Sequence, residues 1–295
     1  MNKRGIVVFV AAAFAIQIAA QAAAIIIGYI LPWTKWTITA AALIVTAWAP
    51  AAAAWIASKS SQPPEKDEGK HEIEIVPESK RSVLAAVIIV ALVYAGIYGI
   101  GSKLGWFKAD WEVSALTVDV RVAVEQMGLD VEQIPPPAAL IGVGFVLTIV
   151  LGPTFYALVC LGSELGWRNY LLPKLLPMGR VRAYLLTNIL WGAWLAPVVL
   201  ARHGVGSMGW VAVLKVLAMA VVFGTVLCEL WRRWRHVGLT AIWCGCFLSN
   251  ASGVWQYVFQ NPDAIWGGPF GLAAIIAWAI VALALIALPK RFSLE

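Results

Sequence analysis

Eight stretches of nearly uninterrupted apolar residues divide this chain, at approximately 5–31, 37–57, 82–101, 138–161, 183–201, 208–231, 238–259 and 268–288. A helix needs about 20 mostly apolar residues to cross a bilayer, so most of these runs reach spanning length and the rest come close to it. In lipid the backbone must satisfy its own hydrogen bonds, and an α-helix does this within a single run. Little chain is left over for anything else. Of 295 residues, 61% are hydrophobic and 13% are charged, against about 25% charged in an ordinary soluble domain. Mean hydropathy is +0.80. The expected fold is an all-α polytopic membrane bundle of about eight transmembrane helices, a single membrane domain over 1–295.

The first run follows Met1-Asn2-Lys3-Arg4 and continues to Leu31 without a break. It is too long for the 7–15-residue core of a signal peptide, and reads as an uncleaved anchor. The formal charge of +6 sits in short connections between the runs, where basic residues report topology rather than nucleic-acid binding. With eight crossings, sixteen Lys and Arg fall on the side that holds both termini, the 58–81 loop, the segment around Arg168 to Arg182, and Arg232, Arg233 and Arg235. Five fall on the other side, and Lys215 lies within the sixth run. This asymmetry predicts a cell-membrane protein with both termini in the cytoplasm.

Residues 58–81, rich in Lys, Glu and Pro, read as a mobile cytoplasmic loop. Residues 102–137 form an extracytoplasmic loop in which Val118, Val120, Val122 and Val124 alternate with Asp119, Arg121 and Ala123. That pattern suits a short strand or an interfacial helix, and period alone does not choose between them. Trp106 and Trp111 suggest that the loop rests on the outer interface. In the first run Ala11, Ala15, Ala19 and Ala23 recur every four residues, a stripe that allows close helix approach. Gln17 and Gln21 share a face and read as polar links to a neighbouring helix.

The four cysteines, Cys160, Cys228, Cys244 and Cys246, lie in or beside apolar runs, and no disulfide framework follows from them. His71, His203 and His236 lie far apart outside the spans, so no metal-ligand spacing is present and no cofactor is expected. The expected partners are the lipid bilayer and a membrane protein or peptide, with no nucleic acid.

Ionisable residues within membrane helices are costly and mark candidate sites. Glu164 and Arg168, in Gly162-Ser163-Glu164-Leu165-Gly166-Trp167-Arg168-Asn169-Tyr170-Leu171, are one helical turn apart and can pair. Downstream come Trp191-Gly192-Ala193-Trp194-Leu195-Ala196-Pro197 and Cys246-Phe247-Leu248-Ser249-Asn250.

These three segments resemble, in order and spacing, the motifs of the CAAX-protease and bacteriocin-processing (CPBP, or Abi) family of intramembrane endopeptidases, over roughly 142–260. The family pattern begins with two adjacent glutamates followed after three residues by an arginine. Glu164, Arg168 and Leu171 match it, whereas Ser163 replaces the first glutamate and Asn169 a glycine. Leu195 stands where the second motif has its histidine, and Cys246 where the third has its own, four before the retained Asn250. The resemblance implies a water activated by the first glutamate, with the histidines and asparagine orienting it and stabilising the oxyanion.

Ser163 cannot hold a proton near neutral pH as a general base must. Leu195 neither donates nor accepts a hydrogen bond, and Cys246 is a weak donor. Each missing group costs on the order of 10²–10⁴ in rate when it acts alone, and members of one unit do not multiply. Rescue requires Glu164 to act as base from about 100° around the helix, or an activated Ser163 or Cys246 nucleophile, and neither has a visible base. His203 lies eight residues beyond Leu195, about 12 Å along a helix, and cannot fill the gap. The expectation is a proteolytically silent relative, in which Glu164, Arg168, Asn250, Trp191, Trp194 and Trp243 line a former cleft that binds a partner or ligand. The alternatives are an active CAAX-type endopeptidase with an altered site, and a membrane subunit of a transporter complex.

Overall fold

A computed structural model of the chain describes residues 3–31, 35–60, 79–126, 128, 134–203, 206–260 and 262–289. The apolar runs fold as helices: α1 (Lys3–Ile30), α2 (Lys35–Ser60), α3 (Lys80–Lys103), the long α5 (Pro137–Met178), α6 (Arg180–His203), α7 (Ser207–Trp234), α8 (Val237–Ser252) and α9 (Leu272–Ala287). A shorter helix, α4 (Ser114–Gln126), lies between α3 and α5. Two-residue strands β1 (Lys108–Ala109) and β2 (Phe259–Gln260) pair antiparallel. Leu92, Leu214, Leu283 and many other large apolar side chains face outward. An apolar surface of that extent belongs in lipid, and the chain is a multi-pass membrane protein.

Among the described residues, seven helices are long and apolar enough to cross a membrane. The eighth expected span is shorter than its sequence suggests. It starts at Leu272 and has sixteen residues, about 24 Å of rise against a hydrocarbon core of about 30 Å. The turn before it explains the late start, because Gly268 adopts φ +81, a left-handed conformation that a continuing helix cannot contain. Ahead of it the Asp263 carboxylate accepts the backbone N–H groups of Ile265 and Trp266, both at 2.8 Å.

The sequence places the end of the fourth span near 161 and a connecting segment at Arg168. Instead α5 runs on for 42 residues, through π-helical turns at Gly152–Tyr156 and Leu165–Leu171. Arg168 is therefore not a loop charge and contributes nothing to the topology asymmetry. Its charge reads as a helix end only when its partner is left out.

The packed face of α1 also differs from the expected one. Gly5, Phe9, Ala13 and Gln17 are buried, and Ala11, Ala15, Ala19 and Ala23 lie on the exposed side. When every face of a helix is apolar, small-residue spacing does not reveal which face a neighbour covers. Phe9 meets Trp167 edge-on at 5.2 Å and Tyr170 at 5.2 Å, and the Trp194 indole donates to the Ala13 carbonyl at 3.1 Å. Gln21 does link to a neighbour, donating to Thr46 of α2 at 3.2 Å.

Of the expected 58–81 loop, residues 61–78 lie outside the described residues; α2 continues to Ser60 and α3 begins at Lys80. In the 102–137 segment the valine alternation belongs to a helix, not a strand. Asp110 initiates it by accepting from the N–H groups of Glu112 and Ser114, and Val118 and Val122, one turn apart, are both exposed. Trp106 stacks on Trp266 at 5.0 Å, and the Asp263 N–H donates to the Trp106 carbonyl at 2.9 Å. The segments flanking α4 and α9 thus clasp one end of the bundle.

Candidate functional site

The candidate site lies where α5 is held against α2 and α8 by glycines. Gly162 and Gly166 are one turn apart on the face of α5 that meets α2. A Cβ on Gly162 would lie 2.6 Å from Trp48 Cα, and one on Gly166 would lie 2.6 Å from the Pro50 carbonyl oxygen. Small residues at this spacing let two membrane helices approach to backbone contact. On the opposite side, a Cβ on Gly245 of α8 would lie 2.7 Å from Ala157 Cα. The Ser163–Arg168 turn is clamped between two helices.

Within it, Arg168 Nη1 donates to Glu164 Oε1 at 2.8 Å, and both side chains are 0% exposed. The guanidinium also lies over the Trp191 ring at 4.1 Å. The cost of removing two charges from water is offset by their mutual attraction and by this cation–π contact. Thr240 of α8 stands beside Glu164, and Cys228 of α7 beside Arg168. By strict geometry, Glu164 Oε2 and Arg168 Nε and Nη2 still have no hydrogen-bond partner. Cys228 Sγ contacts Asn188 Oδ1 at 3.6 Å, and Asn188 Nδ2 donates to the Val221 carbonyl at 3.4 Å. A buried polar thread therefore runs from Glu164 through Arg168 and Cys228 to Asn188.

The motif residues are drawn together only in part. Ser163 is buried with no hydrogen-bond partner for its Oγ. Leu195 is half-buried and packs against the core. Cys246 is buried, and Asn250 is bonded elsewhere: its Nδ2 donates to the Cys246 carbonyl at 2.8 Å and its Oδ1 accepts from Trp255 Nε1 at 2.9 Å. No hydrogen bond joins Asn250 to Glu164 or Arg168 among the described residues. Thr240, the α8 residue beside Glu164, precedes Asn250 by ten positions, about 15 Å along the helix.

The three tryptophans are interior. Trp191 takes the Arg168 charge, Trp194 meets Trp167 at 5.9 Å, and Trp243 is 2% exposed with no partner for its indole N–H. His236 accepts from the Leu239 N–H at 3.2 Å and caps α8. His71 and the His203 side chain lie outside the described residues. No three His, Cys, Asp or Glu side chains converge as a metal site among the described residues.

Asn188 and Cys228 of the thread, and Thr240 beside Glu164, escape the motif reading. Their signal was a polar group inside an apolar run, which is weak for each taken singly. A second cluster was also missed. Glu229 of α7, fully buried, accepts from Tyr184 Oη at 2.8 Å, Arg232 Nε at 3.1 Å and Arg233 Nε at 2.9 Å. Lys215, a lone charge within the sixth apolar run, donates to the Ala264 carbonyl.

The sequence model of a family described as type II CAAX prenyl endopeptidase, Rce1-like, matches residues 144–252, a little over a third of the chain. The matched stretch contains all three motif segments and the whole polar thread. No curated protein and no solved structure matches the chain.

Proposed function

We propose, for a chain whose residues 144–252 are an Rce1-like domain of the CPBP family, that peptide hydrolysis has been lost and that the domain serves as a partner- or ligand-binding membrane protein. The observation that carries this reading is the commitment of the retained groups. Glu164, the one motif carboxylate left, is wholly buried and bonded to Arg168. A general base must reach the proton that it abstracts, within about 3 Å or through one water. Asn250 is turned away from Glu164, with one amide N–H on the Cys246 carbonyl and its Oδ1 on Trp255. Where the family uses histidines, this chain has a packed Leu195 and a buried Cys246.

In this reading the polar thread is a structural relic that fixes the register of α5, α7 and α8, and a membrane protein or peptide is the partner. The proposed setting is the cell membrane, with both termini cytoplasmic. The experiment restores the family pattern as Ser163→Glu, Leu195→His and Cys246→His together, and measures cleavage of prenylated and unprenylated peptides in lipid. Activity in the reversion with silence in the native chain is the expected result. Cleavage by the native chain overturns the proposal.

A further inference from the structure

One end of the bundle gathers the start of α1, the end of α5, the start of α6 and the ends of α7 and α9. Tyr170 near the end of α5 donates to the Gly5 carbonyl of α1, and Arg233 of α7 donates to the carbonyls of Leu288 and Pro289 just beyond α9. At this end three basic side chains lie over aromatic rings: Lys174 over Tyr170 at 4.2 Å, Arg180 over Tyr184 at 5.8 Å and Arg235 over Trp231 at 4.5 Å. Cationic heads above amphipathic rings mark the level where hydrocarbon gives way to headgroups.

At this level Glu229 gathers three arginines. Arg232 and Arg233 hydrogen-bond it from the same helix, and Arg180 Nε approaches Oε2 at 3.8 Å from α6. One carboxylate facing three guanidiniums leaves a local charge near +2. Arg233 has little left to offer, since its terminal nitrogens hold the carbonyls of Leu285, Leu288 and Pro289. Arg180 and Arg232 differ. Their side chains are 40% and 19% exposed; Arg232 also stands against Tyr184, and the terminal nitrogens of Arg180 bond no other protein group among the described residues. Both Nε atoms lie against the same oxygen, at 3.8 and 3.1 Å, so they are at most about 7 Å apart. Two guanidiniums gathered by one buried acid are thus near enough to share one phosphate, an anion that arginine recognises well.

We propose that Arg180 and Arg232, held by Glu229, form a binding site for the phosphate of an anionic phospholipid headgroup between the start of α6 and the end of α7. Such a basic notch between helices at headgroup depth is suited to anionic lipid. Glu229 acts as a positioning residue: it orients both arginines without touching the lipid. The site is independent of whether the Rce1-like domain hydrolyses peptides.

The test is native mass spectrometry of the full chain released from detergent, titrated with phosphatidylglycerol and, separately, phosphatidylcholine. Phosphatidylglycerol should bind at least tenfold more tightly. An arginine near an anionic surface is worth about fivefold in affinity, so Arg180→Gln should weaken phosphatidylglycerol binding about fivefold and Arg180→Gln/Arg232→Gln about thirtyfold, with phosphatidylcholine unchanged. Arg180→Gln alone is decisive where the double variant does not fold, because Arg180 is the more exposed and the more loosely tied. Equal affinity for the two lipids, or unchanged phosphatidylglycerol affinity in Arg180→Gln, overturns the proposal. Displacement of the lipid by low-millimolar inorganic phosphate also overturns it, by assigning the notch to a free anion.

Discussion

Replacing Glu164 with Gln should be among the most damaging single substitutions in this protein, although it changes one atom type. The glutamine fills the same space and keeps Thr240 beside it, but Arg168 then stands fully buried with no counter-charge. A guanidinium cannot shed its proton to escape. Its cation–π contact with Trp191 at 4.1 Å remains and supplies about 2 kcal/mol in a dry site. Breaking a buried pair from one side costs about 3–5 kcal/mol, and that loss is expected for Glu164→Gln. The double variant Glu164→Gln/Arg168→Met removes both charges, so it should cost far less than the two single changes together, with a coupling energy of about 3 kcal/mol. Equilibrium unfolding of the four proteins in mixed detergent and SDS micelles, followed by tryptophan fluorescence, closes the cycle. Additive effects within about 0.5 kcal/mol, the range for independent sites, or a loss below about 1 kcal/mol for Glu164→Gln, would refute the argument that the pair is a closed structural unit.

Gly166→Ala should destabilise by about 1–3 kcal/mol, because its Cβ meets the Pro50 backbone; Gly99→Ala, with nothing within 4 Å, should lose nothing in the same unfolding assay. Asn250→Ala leaves the half-buried Trp255 indole N–H without its partner and should cost about 1 kcal/mol, seen as a lower melting temperature without recovery in Asn250→Leu. The N–H groups of Trp266 and Ile265 hold the Asp263 acid below the usual carboxylate range. The folded-state value is depressed, so its contribution is fully present above about pH 3.9, the ordinary value, and is lost as pH falls through the lower folded one. Fluorescence of the Trp106–Trp266 stack should therefore stay flat from pH 8 to 5 and change only in stronger acid, and Asp263→Asn should remove that acid step.

Much of this architecture was legible because lipid imposes simple rules. Run length located the helices, and the four-residue spacing of Glu164 and Arg168 announced their pairing. What the sequence concealed has physical causes. The pair neutralises itself, so α5 continues through Arg168 where charge alone suggested a loop. In a helix apolar on every side, burial follows the shape of neighbours such as Trp167 and Trp194, and so Gly5, Phe9, Ala13 and Gln17 are covered while the alanine stripe is not. The Glu229 cluster draws Arg180 from α6 and Arg232 and Arg233 from α7. Those arginines also serve as topology signals, and a count along the chain cannot show that they share one acid. The motif positions were readable, but the diversion of Asn250 to Trp255 is a tertiary fact that no spacing contains.

The most direct test of lost hydrolysis is peptide-bond cleavage by the purified native chain in lipid, across prenylated and unprenylated peptides, with Glu164→Ala measured in parallel. The expected result is no turnover above the variant's background. Cleavage by the native chain would contradict it, and its loss in a Glu164→Ala protein that still folds would mean that Glu164 leaves Arg168 to serve as the base of a working protease.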